Sequence, residues 1–110
     1  MTNMTPEEIL NTAADIILRD GWHQGDTDDG DTKHGPVCLM GAIDRAVTGN
    51  SRGGVAAISR NGPVPEVNEA VQRVINTIAR WDIGEWNDHS GRTVEDVLLA
   101  LKKAATDTET

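Results

Sequence analysis

Between Pro6 and Gly21 the apolar residues Ile9, Leu10, Ala13, Ile16 and Ile17 recur at helical spacing. Thr5 with Glu8 three residues on forms a Thr-x-x-Glu capping box, and Pro6 suits a first helical position because its missing N–H would have no partner there. The pattern predicts a helix at about 6–20. Val37, Leu39, Met40, Ile43, Ala46 and Val47 predict a second at about 36–48, opened by Pro36 and stopped by Gly49. Val67, Val71, Val74, Ile78 and Trp81 lie on one stripe, widened by Ala70, Ile75 and Ala79, and predict the longest helix at about 65–81. Val94, Val97, Leu98, Leu101 and Ala105 predict a last helix at about 94–105, with Thr93 as N-cap and Asp96 as its partner three residues on.

The connections are polar. Gly21 to Gly35 is a long loop rich in glycine and aspartate, with a turn expected at Asp29-Gly30. Residues 50–62 carry Gly53, Gly54 and Asn61-Gly62 around a short helical turn expected near Val55 to Ser59, and 82–92 reads as a polar loop. No strand-like alternation of useful length occurs. The expectation is an all-α fold: one small helical domain over 1–105 with four main helices, long irregular loops and a frayed tail at 106–110.

Composition narrows the function. A chain of 110 residues holds one domain. Phe and Tyr are absent, so Trp22, Trp81 and Trp86 are the only large aromatics, too few for a base-stacking platform. The formal net charge is -8, which opposes direct binding to nucleic acid or to an anionic membrane. No apolar run approaches a membrane span, and Met1 to Leu10 lacks the basic start of a secretory signal. Cys38 is the one cysteine, so an intramolecular disulfide is impossible, the sequon Asn3-Met4-Thr5 reads as incidental, and a cytoplasmic protein is expected. Charge is unevenly spread: residues 1–35 hold eight acids and two bases, whereas 36–62 hold one acid and three arginines.

Two groups of residues carry a likeness. The first is Trp22 before Gln24-Gly25, then Gly35-Pro36-Val37-Cys38-Leu39-Met40-Gly41-Ala42-Ile43. The second is Ile78-Ala79-Arg80-Trp81 leading to Trp86-Asn87-Asp88, then Gly91-Arg92-Thr93 and Val97-Leu98. In this order, across about 6–105, they resemble a family of small uncharacterised actinobacterial and actinophage proteins, a domain of unknown function. The resemblance implies a helical domain from such a source, in the host cytoplasm if phage-encoded. It attaches no reaction and no catalytic residues.

Candidate chemistry is sparse. Cys38 near a helix start, with His34 four residues before it and Asn87 or Asp88 as a third group, has the residue types of a nucleophilic arrangement. Its apolar neighbours Val37, Leu39 and Met40 point instead to a packed small residue. Cys38 with His23, His34 and His89 lacks the paired spacing of a zinc site, and no metal or cofactor is expected. Asp26, Asp28, Asp29 and Asp31 fail the EF-hand pattern, since position six from Asp26 is Asp31 and position twelve is Val37. Arg52 and Arg60 flank glycines without a phosphate-loop motif. The polar cluster Trp86, Asn87, Asp88 and Arg92 suits either a recognition loop or a turn shaped by Asn87 and Asp88, with Thr93 capping the last helix.

Three functions follow. The leading one is a small acidic protein-interaction module, acting on a host protein if phage-encoded, with Asp26, Asp28, Asp29, Asp31, Trp86, Asn87, Asp88 and Arg92 as its contact residues. The second is a thiol-dependent enzyme using Cys38 with a histidine. The third is a self-associating structural protein, a homodimer through the Val67–Trp81 stripe.

Overall fold

Thr5 opens the first helix as the spacing predicts. Its side chain accepts the Glu8 amide, and the Glu8 carboxylate accepts the Thr5 amide in return. In the computed structural model, which describes residues 4–56 and 62–106, α1 runs Pro6–Asp20 and ends where Gly21 adopts φ 101°, a conformation that favours glycine. Four more helices follow among the described residues: α2 Leu39–Thr48, α3 Pro65–Ile78, α4 Ile83–Asp88 and α5 Val94–Thr106. The expected all-α, single-domain architecture is the one found.

The apolar faces explain the packing. Ile9, Leu10, Ala13, Ile16 and Ile17 from α1 meet Leu39, Ala42 and Ile43 of α2, Val67, Val71 and Val74 of α3, and Val97, Leu101 and Ala104 of α5 in one core. Helix α1 is the hub, touching α2, α3 and α5, while α4 packs on α2. Val67, Val71 and Val74 are therefore spent inside the chain's own core.

Three boundaries depart from the expectations. Helix α2 starts at Leu39 because Cys38 is its N-cap, its Sγ accepting the Gly41 amide. Val37 before it is extended, bridging Trp22 on one side and Asp28 on the other. Helix α3 stops at Ile78 because Ala79 turns left-handed at φ 57°, which leaves Trp81 outside the helix and 64 % exposed. The segment 82–92, read as loop, contains the six-residue α4, N-capped by the Asp82 side chain on the Glu85 amide. That Asp-x-x-Glu was its signal, in a helix too short to show a period. Of the turn expected at Val55 to Ser59, 57–59 lie outside the described residues; of the tail expected at 106–110, Thr106 is the last residue of α5 and 107–110 lie outside them. No helix among those described is long and apolar enough to cross a membrane.

Candidate functional site

The long loop after α1 is held by local bonds that aspartate makes well. Asp28 Oδ1 accepts the Gly30 amide, Asp29 the Asp31 amide, and Asp31 the amides of Lys33 and His34. Such side-chain turns let a chain without strands or helix follow a defined path. The turn expected at Asp29-Gly30 is there, with Gly30 at φ 110°.

Two buried groups then fasten the loop to α2 and to the segment that follows it. The Arg45 side chain, 2 % exposed, bonds to Asp20, to the carbonyls of Asp31, Thr32 and Gly35, and to the Ser51 hydroxyl. Asp28, 2 % exposed, accepts from the Ser51 hydroxyl and from Arg52 Nε and Nη2. Burial by itself would raise the Asp28 pKa. The Ser51 hydroxyl, the Arg52 guanidinium and the Gly30 amide outweigh it and hold the group at about 2. Arg52 also pairs with Asp26 at 3.3 Å, so it is committed to carboxylates of this chain rather than open to a phosphate. Arg60 lies outside the described residues.

Asn87 joins this loop to α4. It is 1 % exposed and uses its whole amide: Oδ1 accepts from Trp22 Nε1 and the Leu39 amide, while Nδ2 donates to the His23 carbonyl and to Asp88. Gln24 Nε2 donates to the carbonyls of Asn87 and His89, and the Gly25 amide donates to Asp88 Oδ1 at 3.0 Å. The acidic loop and the Trp86-Asn87-Asp88 segment, separate in sequence, thus meet edge to edge.

Between them opens a cleft of about 470 Å³, lined by Asp26, Cys38, Met40, Asp44, Arg52 and Asp88 among others. That volume is within the usual range of ligand pockets. Its walls carry more carboxylate than cation. Gly41 on the wall is needed for packing: a Cβ there would come within 2.7 Å of Val37 and 2.8 Å of Thr27. This accounts for the Cys38-x-x-Gly41 spacing, one residue capping the helix and the other letting the loop lie on it.

The surroundings of Cys38 favour the thiol over the thiolate. Burial raises its pKa, and the nearby Asp88 carboxylate raises it too, against the lowering effect of the Gly41 and Met40 amides. No histidine lines its cleft. His34 donates its backbone amide to Asp31 and His89 meets the Ser90 carbonyl through Nδ1. Among the described residues no group of three metal-ligating side chains comes together.

The residues singled out from sequence therefore divide. Asp26, Asn87 and Asp88 border the cleft, Asp29 and Asp31 lie exposed on the adjoining loop, and Asp28 is buried behind it. Trp86 and Arg92 sit elsewhere: the guanidinium stacks 4.0 Å over the ring, Arg92 Nε donates to the Trp86 carbonyl, and both line a smaller hollow of about 210 Å³ with Ile78, Asp96 and Leu99. Thr93 caps α5, accepting the Asp96 amide while Asp96 accepts that of Thr93. Asp44, Arg45 and Ser51 were missed. Each sits in an apolar or glycine-rich context whose partners lie far away in sequence.

Over residues 1–107 the chain matches the family described as a family of unknown function, DUF6197, and it belongs to that family. No curated protein and no solved structure matches it.

Proposed function

We propose that this member of the family is a protein-interaction module, and that its contact face is the acidic surface made by the 25–31 loop and the end of α4 around the cleft. One observation carries the reading: the Gly25 amide on the Asp88 carboxylate joins two acidic segments into one face. Asp26, Asp29, Asp31 and Asp88 are exposed there. A face with an excess of one sign steers a partner of the opposite sign and sets its orientation, so the partner presents a basic patch. The likeness of its motifs to actinobacterial and actinophage proteins makes a bacterial host protein the partner class. The raised pKa of Cys38 and the absence of histidine from its cleft weigh against the thiol-enzyme reading. Burial of Val67, Val71 and Val74 in the core weighs against self-association through that stripe.

The test is a pull-down from actinobacterial lysate with two baits, the wild-type chain and a variant carrying Asp26→Asn, Asp29→Asn and Asp88→Asn. Asp28 is left intact because the fold uses it. The expected result is one stoichiometric basic protein, lost with the variant and lost at high salt. No specific protein at low salt, or one that binds both baits equally, would overturn the reading.

A further inference from the structure

Leu18 on α1 and Leu99 on α5 are each 65 % exposed. A lone surface leucine is ordinary. Leu99 is not alone: it rims the smaller hollow of about 210 Å³, whose other apolar walls are Ile78, Trp86 and Ala100. That space is below the usual size of a small-molecule pocket and suits a single aliphatic side chain. Of the charged residues around it, Arg92 and Asp96 face each other at 3.9 Å, and Asp96 also accepts the Thr93 amide. Lys103 is exposed and, among the described residues, has no ion-pair partner. The hollow thus carries one uncompensated positive charge, on a chain whose net charge is -8. It fits an aliphatic side chain with a carboxylate one helical turn away.

Helix α1 presents that pair on its outer side. Asp15 lies three residues before Leu18, so the two share a face. Asp15 is exposed and, among the described residues, has no ion-pair partner either. Lys103 lies four residues after Leu99, again one turn along the same face. The order is reversed between the helices: acid before leucine on α1, leucine before lysine on α5. Laying α1 of one copy antiparallel on α5 of another therefore sets Leu18 beside Leu99 and Asp15 beside Lys103 at once. Opposed helix dipoles favour the same direction.

We propose that this hollow is the docking site for α1 of a second copy of the chain, with Leu18 seated in it and Asp15 paired with Lys103. Unlike the Val67–Trp81 stripe, whose valines are buried in the core, both surfaces are free in the single chain. None of the four residues borders the cleft, so the contact is independent of the acidic interaction face. It is small, and a small contact associates weakly. The net charge of each copy opposes it until salt screens the longer-range repulsion.

The test is sedimentation equilibrium of the full chain at about 0.15 M salt, where distant charges are screened, at concentrations up to about 1 mM. The variants are Asp15→Lys, Lys103→Glu and Leu18→Ser. All three positions are exposed, and circular dichroism checks that each variant keeps its helices. The expected result is an average mass that rises above the monomer with concentration. Asp15→Lys or Lys103→Glu alone puts like charges together and lowers the association constant by about fivefold. Leu18→Ser lowers it by about tenfold, the effect of no longer burying the leucine. An equal mixture of Asp15→Lys and Lys103→Glu recovers wild-type association, because residue 15 of each copy then meets an opposite charge at 103 of the other. A monomeric mass at every concentration, single variants that associate as wild type does, or a mixture that stays as weak as its components would each overturn the proposal.

Discussion

Trp22 and Asn87, 65 residues apart in sequence, meet through a hydrogen bond of 2.8 Å from the indole N–H to the amide oxygen. The same oxygen accepts the Leu39 amide, so one buried side chain ties the loop after α1, the start of α2 and the end of α4. A carboxamide is suited to this junction because it offers acceptor and donor at once, and here both ends are used.

Replacing Asn87 with alanine strands several buried groups. Each buried donor or acceptor left unpaired costs about 1–3 kcal/mol. Asn87→Ala is expected to lower unfolding free energy by about 3 kcal/mol, as one buried network is lost with partial relaxation. Chemical denaturation followed by tryptophan fluorescence measures it. A loss below about 1 kcal/mol, the worth of a single ordinary hydrogen bond, would show that the junction is not the tie described.

Asp28 sets an acid limit. Its folded pKa of about 2 lies below the ordinary 3.8. A depressed carboxylate stabilises the fold above its unfolded pKa, and that stabilisation is lost as pH falls from about 4 through about 2. Wild type is expected to lose stability across this window more steeply than Asp28→Asn, which is less stable at neutral pH and flatter below pH 4. Thermal melts between pH 7 and pH 2 give the comparison. Parallel curves would contradict the assignment.

Cys38 is expected to resist alkylation. Its thiol is buried as the α2 N-cap and its pKa is raised by burial. Iodoacetamide at neutral pH labels the folded chain slowly and the denatured chain quickly, read by intact mass. Fast labelling of the folded chain would restore the nucleophile reading.

The helices were legible because their faces repeat and their caps are local. Thr5, Pro6 and Glu8 start α1 where the motif says, and Gly21 ends it. Errors came where tertiary bonds override local preference. Val37 looks helical by its apolar neighbours but is held extended by amide bonds to Gly21 and from His23. Ala79 continues an apolar stripe yet turns out of α3 at φ 57°. Helix α4 is too short to carry a period, and its Asp82-x-x-Glu85 cap was its only mark.

The site was legible as two acidic or polar segments but not as one surface. Nothing in the order of residues says that Gly25 will donate to Asp88, or that Arg45 will gather the carbonyls of Asp31, Thr32 and Gly35. Those contacts depend on how α2 and α4 pack. The same packing turns Asp28 inward, so a residue read as part of an acidic exterior holds the loop together instead.

The union of the two acidic segments is tested most directly by titrating tetralysine into the ¹⁵N-labelled chain and mapping the backbone shifts. The account predicts that amides of 24–31 and of 84–89 move together with one binding curve, and that both weaken when Asp88 is changed to Asn. Movement of only one segment, separate curves for the two, or shifts spread over the acidic positions of α1 and α5 would contradict it.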